Sequence, residues 1–325
     1  MTGSNGYRTK LHSLALTIAV VAFLPVAQGA ETVRVAKTIN VIWALTPVDV
    51  GVQQGIFAHE GLDVQITTVA GDPKVIQGIV GGSFDIALAS GTSMMFAIKG
   101  APVIGVAALN GAPRNFSLIV GPDSAIKSAA DLKGKNLGTA TLAGFPEFLA
   151  RRVSVAQGWG PDAIHTIVTG DAQATMAAMR IGQTDGLIGA TELGYSLEEL
   201  HQGRIVVGME KFVPRVHTHI VLASQDFLRD HADLTQRFLK GIFQSIAFMK
   251  ANREQTIALT APVLHMSPEV VARTYDYEIS MMSNDGSFDP AAIDVLKDSF
   301  VDLGLLPTRP ANDQLFTSRF VPVKF

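Results

Sequence analysis

The first part of the chain alternates short apolar runs with amphipathic segments. Residues 33–38 (VRVAKT) and 62–69 (LDVQITTV) have the length and β-branched content of strands, and a helix is predicted between them at 47–59. Strands and helices that alternate in this way pack as a parallel sheet with right-handed crossovers and helices on its faces. The pattern therefore predicts an α/β protein.

Two segments repeat one order of elements. Residues 69–91 and 168–191 each contain a strand, a Gly-Asp pair, a helix, a glycine, an aspartate and a second strand. The matched pairs are Gly71 with Gly170, Asp72 with Asp171, Gly82 with Gly182, and Asp85 with Asp185. Together with the strands before them, the segments form two βαβαβ units, which predicts two similar lobes, each a mostly parallel sheet flanked by helices.

The length of the chain agrees with two lobes. It has 325 residues, whereas single hydrophobic cores stop growing at roughly 250 to 300 residues. We expect lobe 1 to comprise 31–116 and 219–325, and lobe 2 to comprise 117–218. The segment 115–122 would carry the chain outward, and 217–224 would carry it back. Apolar residues at helical spacing near the C-terminus predict helices that cover lobe 1.

The N-terminus has the layout of a secretory signal peptide. Arg8 and Lys10 precede an apolar run at 14–24, and small residues follow from Ala27. We expect residues 1–30 to be this leader and the mature protein to be periplasmic. Because the chain contains no cysteine, we also expect no lipid anchor, disulfide or thiolate metal site.

Composition and motifs exclude several classes of function. A net charge of −3 with dispersed Lys and Arg argues against a nucleic-acid partner, which demands a basic stripe. There is no phosphate loop, GxSxG elbow or HExxH motif. Residues 158–163 (GWGPDA) match a loose dinucleotide pattern, but they follow a predicted helix instead of a strand. His217 and His219 lack a carboxylate cluster that would complete a metal site, so we expect no cofactor and no catalytic residue.

Two loops rich in small residues follow predicted strands, at 89–93 (ASGTS) and 141–145 (TLAGF). Ligands of open parallel sheets bind beyond the carboxyl ends of the strands, and helix N-termini there favour negative groups. Two lobes joined by two crossings can close on a ligand by a hinge motion. The sequence thus predicts two facing crevices.

Four segments carry a resemblance to a known family: GIFAHEGLDV, GSFDIALASG, IKSAADLKGKNLG and GQTDG. They resemble the nitrate, sulfonate and taurine type of ABC-transporter substrate-binding protein, including its thiamine-pyrimidine-precursor branch. The resemblance covers nearly all of the expected mature chain and is strongest over residues 33–191 and weaker over the C-terminal helices. It implies the two-lobed type II periplasmic-binding-protein fold, a small-molecule ligand, and an inner-membrane permease with its ATPase as partners. We expect the receptor to be a monomer.

Matching the segments of the family implies a set of ligand-binding positions in this chain. They are Asn40, Trp43, Gly91, Thr92, Ser93, Arg114, Asn115, Gly144, Phe145, Asp171, Thr191, Glu192 and His217. The chain departs from sulfonate-binding relatives, which tend to have hydroxyl residues at 144–146 and an aromatic-x-Pro at 190–192.

These departures weaken the case for a simple sulfonate. Trp43 and Phe145 could sandwich a planar group, Arg114 could pair with a carboxylate, and Glu192 could accept from an amine or ring N–H. We therefore expect a small organic solute, with an aromatic or sulfonate-like anion favoured.

Other interpretations stay open at this stage. Trp43 and Phe145 could serve only packing, Arg114 could be a solvated hinge charge, and Glu192 could complement its helix N-terminus. The chain could also be an exported enzyme on the same two-lobed fold, such as a decarboxylase or a pyrimidine-synthase relative, although the Cys-rich segment of such synthases is missing. A periplasmic sensor component is a third class.

Overall fold

The computed structural model describes residues 1–3, 29–38, 42–69, 71–140, 144–170 and 172–325. The expected leader at 1–30 lies almost entirely outside the described residues, and Asn40 and Asp171 also lie outside them. The described residues form two five-stranded sheets with helices on their faces. None of the helices in this part of the chain is long and apolar enough to cross a bilayer.

Strands and helices alternate along most of the described chain. The strands are β1 (Glu31–Thr38), β2 (Leu62–Val69), β3 (Ile86–Ser90), β4 (Val103–Ala108), β5 (Phe116–Val120), β6 (Asn136–Thr139), β7 (His165–Val168), β8 (Gly186–Ala190), β9 (Arg204–Gly208) and β10 (His219–Ser224). The helices are α1 (Pro47–Gln53), α2 (Ile56–His59), α3 (Asp72–Val80), α4 (Met95–Ile98), α5 (Phe145–Ala156), α6 (Ala172–Arg180), α7 (Thr191–Glu199), α8 (Gln225–Asp230), α9 (Ala232–Ala251), α10 (Arg253–Leu264), α11 (Pro268–Glu278) and α12 (Pro290–Asp302). Short 3₁₀ turns include Trp43–Leu45 and Gly91–Met94.

The two sheets have the same topology. Sheet 1 has the order β2-β1-β3-β10-β4, and sheet 2 has the order β7-β6-β8-β5-β9. Four strands of each sheet run in one direction, and one strand runs antiparallel to both of its neighbours. The antiparallel strands are β10 and β5, which follow the two crossings of the chain between the sheets. The predicted α/β class with two mostly parallel sheets is confirmed.

The repeated aspartates form the same hydrogen bonds in both sheets. Asp85 accepts the N–H of Arg34 at 2.8 Å and donates its own N–H to the Arg34 carbonyl at 2.8 Å. Asp185 makes the same pair of bonds with Asn136, also at 2.8 Å. The glycine three residues before each aspartate has a φ of 71° or 72°, a conformation that favours glycine. Each Gly and Asp therefore aligns the last strand of its unit with the first.

The structure divides the helix predicted at 47–59. Gly55 adopts a left-handed conformation with a φ of 68° and separates α1 from α2. Gly158 and Gly160 lie in the turn after α5 with φ values of 75° and 81°, so this segment ends a helix. Several elements were not predicted from the sequence, namely α4, β9, α8 and α10.

Two large cores hold the fold together. One lies between sheet 1 and helices α1, α9, α10 and α11, and it includes Trp43. The other extends from the opposite face of sheet 1 through α12 to sheet 2 and α5, where Phe148 and Phe300 are both fully buried. The second core is continuous between the two sheets, so the two sheets and their helices are in direct contact.

Candidate functional site

The two chain crossings between the sheets lie side by side and are joined by buried polar side chains. Asn115 donates its amide to His219 Nδ1 at 3.1 Å and accepts the Thr218 hydroxyl at 3.1 Å. Asn110 accepts the His219 N–H at 3.2 Å. Burial lowers the pKa of His219 to about 3, so the ring is neutral at physiological pH. The two crossings thus form one connected hinge, in which both polar side-chain atoms of Asn115 are hydrogen-bonded within the protein.

His217 links the returning crossing to the loop before α12. Its Nδ1 bonds to the Asn110 carbonyl, and its Nε2 accepts the Asp289 N–H at 2.9 Å. Both ring nitrogens are therefore used within the protein, and ligand contact by His217 stays a prediction. Within the residues that the structure describes, no three side chains of metal-binding type converge.

The small-residue loop after β3 carries a cluster of hydroxyl groups. The Ser90 hydroxyl donates to Asp72 in the first turn of α3 and lies 2.9 Å from the Thr92 hydroxyl and 3.3 Å from that of Ser93. Gly91 donates its N–H to the Thr218 carbonyl at 2.8 Å. This loop is thus fixed against the returning crossing, at the carboxyl end of β3.

Gly144 and Phe145 begin α5 on the other sheet. Gly144 is the N-cap of the helix, and the Phe145 ring packs edge-on against Phe116 at 5.3 Å and near Phe148 at 5.8 Å. The ring contact of Trp43 is instead with Tyr275. Among the described ring contacts none joins Trp43 to Phe145, and a planar solute held between the two rings stays a prediction.

Trp43 and Glu192 meet between the two sheets. The Trp43 N–H donates to Glu192 Oε1 at 2.7 Å, although 149 residues separate them. Trp43 begins a 3₁₀ turn, whose first N–H groups lack internal partners. Glu192 lies in the first turn of α7, directly after β8. The structure therefore brings a loop of sheet 1 and a helix N-terminus of sheet 2 into direct contact.

The hinge borders this contact. The Thr191 hydroxyl donates to the Arg114 carbonyl at 2.8 Å and lies 2.8 Å from the Ser117 hydroxyl. Arg114 and Thr191 are thus brought next to Trp43 and Glu192. Four of the residues expected to bind ligand form one group around the N-terminus of α7.

Glu278 completes a buried acidic pair with Glu192. Both side chains are fully buried, and their carboxyl groups lie within hydrogen-bonding reach of each other. Burial is the main reason that the pKa of each carboxyl is raised, and the proximity of Glu192 raises that of Glu278 further. Apart from the two carboxyl groups themselves, no N–H or O–H group of the described residues donates to Glu192 Oε2 or to either oxygen of Glu278, and Trp43 Nε1 also has no acceptor.

Glu278 was not predicted as a site residue. It lies on α11 with Val271, Thr274 and Tyr275 on the buried face of the helix. A glutamate in the apolar stripe of an amphipathic helix is the signal that could have identified it, because ionisable groups are almost never fully buried without a partner.

Tyrosine and arginine side chains surround the acidic pair. The Arg114 guanidinium lies 5.5 Å from the ring centroid of Tyr277 and donates to the Tyr277 carbonyl. Arg273 lies 4.1 Å from the ring centroid of Tyr195 and pairs with Glu198 at 2.6 Å. The Arg273 contacts pack α11 against α7, and the Arg114 contacts pack the outward crossing against α11.

Comparisons with known proteins agree with this architecture. The profile of the NMT1/THI5-like family matches residues 44–256. YtlA of Bacillus subtilis (strain 168), named as a candidate binding protein, is 26% identical over 228 residues, which are 68% of each protein.

Solved structures share the fold. The periplasmic aliphatic sulphonate binding protein SsuA of Escherichia coli superposes with a TM-score of 0.72 at 18% identity, over 88% of this chain and 92% of that protein. The ligand binding component of an ABC-type import system from Staphylococcus aureus gives a TM-score of 0.77 at 14% identity, over 90% and 99%. These matches confirm the family resemblance and the type II fold.

Proposed function

Because the chain belongs to the NMT1/THI5-like family, we propose that it is the substrate-binding protein of an ABC importer. It captures a small organic solute between two lobes, comprising 31–116 with 219–325 and 117–218, and delivers it to an inner-membrane permease and its ATPase. The observation that carries the proposal is the hydrogen bond from the Trp43 N–H to Glu192. It joins the two lobes at the carboxyl ends of their parallel strands, where ligands of such sheets bind.

The hinge gives this proposal a mechanism. Two neighbouring crossings carry the chain between the lobes, and their polar side chains bond to one another. A rotation about the crossings therefore separates Glu192 from Trp43 without breaking either sheet. A solute that binds to both lobes favours the closed form, since it contacts that form more extensively than the open one.

Location and partners belong to the same proposal. The leader-like sequence at 1–30 supports export to the periplasm, where the sulphonate-binding relative is found. The import-system component with the same fold supports an ABC permease as the partner. We propose a monomeric receptor that performs no chemistry on its solute.

The test measures lobe closure directly. Since the chain has no cysteine, spin labels can be placed by Ser267→Cys and Glu199→Cys, whose side chains meet between α11 and α7 at 2.6 Å. A control pair, Lys133→Cys with His201→Cys, lies within lobe 2. Compounds that raise the melting temperature are expected to shorten the first distance and leave the second unchanged.

Two outcomes would contradict the proposal. One is a stabilising compound that leaves the distance between the lobes unchanged. The other is conversion of a bound compound to product by the wild-type protein, which would favour the exported enzyme.

A further inference from the structure

We propose that the solute is a small organic cation, whose N–H groups donate to the buried carboxylates of Glu192 and Glu278. The inference rests on the proposed binding function and names the class of solute that this site takes. It replaces the anion that the sequence favours and differs from the sulphonate of the structural relative.

The first observation is that several carboxylate oxygens of the acidic pair lack a hydrogen-bond donor from the rest of the protein. Three carboxylate oxygens at the site, Glu192 Oε2 and both oxygens of Glu278, receive no hydrogen bond from the described residues outside the acidic pair. A bound cation favours the charged form of both carboxyls, so the pair releases its retained proton as the cation binds, and the resulting carboxylates only accept hydrogen bonds. Buried polar groups in folded proteins nearly always have partners. A donor from outside the chain satisfies all three oxygens, whereas an anion adds repulsion to them.

The protein's own cations are engaged elsewhere. Arg114 is held on Tyr277, and Arg273 is held on Tyr195 with Glu198 as its ion-pair partner. On the neighbouring helix, Arg253 pairs with Asp276. The buried Lys37 pairs with Asp49 at 2.6 Å. None of these side chains forms an ion pair with Glu192 or Glu278. A positively charged solute can therefore pair with the two carboxylates.

Trp43 is an independent indication of a ligand. Its side chain is fully buried, and Nε1 has no acceptor among the described residues. The Trp43 amide already bonds to Glu192, so the residue borders the acidic pair. The ring lies edge-on to Tyr275, with 5.8 Å between centroids. Aromatic rings attract cations, and the free indole N–H suits one acceptor atom on the same solute.

The experiment compares probes that differ only in charge. Benzamidinium, benzamide and benzoate share one ring, and acetamidinium, acetamide and acetate form a smaller matched set. Binding is measured by calorimetry at pH 7.5 with the full-length protein. We expect at least one amidinium to bind at least a hundredfold more tightly than its matched carboxylate.

Variants assign the effect to the acidic pair. Glu278→Gln and Glu192→Gln each keep the shape of the side chain and are expected to weaken amidinium binding at least tenfold. Glu269→Gln, an exposed change on the same helix, is expected to leave it unchanged. Far-UV circular dichroism checks that each variant is folded, and the two glutamate variants test the pair independently.

The inference and the proposed function fail in different ways. Three results would overturn the proposal that the solute is a cation. They are tighter binding of a carboxylate than of its matched amidinium, amidinium binding that survives both glutamate substitutions, and no binding of either amidinium. If a compound of another charge still closes the labelled lobes, the receptor function stands. If no compound ever changes the distance between the lobes, the function fails as well.

Discussion

Replacing Glu278 with glutamine is expected to flatten the dependence of stability on pH. Burial, assisted by the nearby Glu192, holds the pKa of Glu278 well above its ordinary value of 4.5. Above pH 4.5 the folded protein therefore keeps a proton that the unfolded chain has released. Because the folded state binds more protons, its stability falls as pH rises, until the pH passes the raised pKa.

The size of this effect follows from proton counting. Each proton held only by the folded state lowers the free energy of unfolding by about 1.4 kcal/mol per pH unit. For a proton that only the folded state holds across two pH units, the loss is about 3 kcal/mol. This is a large share of the 5 to 15 kcal/mol that stabilises a typical protein, so it is measurable. Glutamine at this position carries no charge and removes the contribution.

Urea denaturation at a series of pH values between 5 and 8 measures the slope. The wild-type free energy of unfolding should fall with pH above 5, and Glu278→Gln should reduce that slope by up to about 1.4 kcal/mol per pH unit. The matched control is Glu269→Gln, since that side chain is exposed on the same helix; it should keep the wild-type slope. Equal slopes for wild type and Glu278→Gln would refute a buried, proton-retaining carboxyl at this site.

Three further predictions concern the framework of the site. Lys37→Ala leaves the largely buried Asp49 without its ion-pair partner and should cost about 3 to 5 kcal/mol in urea denaturation; a loss below about 1 kcal/mol would show that water solvates the aspartate. Gly91→Ala would place a Cβ 1.9 Å from the His217 carbonyl, so we expect a loss of about 1 to 3 kcal/mol, and an unchanged melting temperature would contradict this packing. Asp185→Ala leaves a main-chain N–H of the adjacent strand without its acceptor and should cost about 1 to 3 kcal/mol; hydrogen exchange of that amide should accelerate, and unchanged protection would argue against the bond.

The sequence predicted the sheets well because local patterns determine them. Short β-branched runs mark the strands, and the repeated Gly and Asp residues mark the turns that align them. The elements that were missed have weaker local signals. Helix α4 has only four residues, and α10 contains Pro262, a residue that ordinarily breaks helices.

The site was predicted only in part, because its contacts depend on how the lobes meet. Trp43 and Glu192 were both expected to bind ligand, but no local pattern shows that residues 149 positions apart share a hydrogen bond. Glu278 was missed because it comes from the C-terminal helices, where the repeated pattern is absent. Its partnership with Glu192 requires α11 to pack on α7, which is a tertiary contact.

The internal repeat also indicates where the charge of the proposed site arises. In the first copy, the loop after β3 presents Ser90 and Thr92, and Asp72 engages the Ser90 hydroxyl. In the second copy, the position that follows β8 at the same spacing as Thr92 is Glu192, whose carboxylate faces the other lobe. The second acidic group, Glu278, belongs to neither copy. Since the backbone framework is the same in both units, the charge of the site comes from the residues in which the units differ and from the helix that was added outside them.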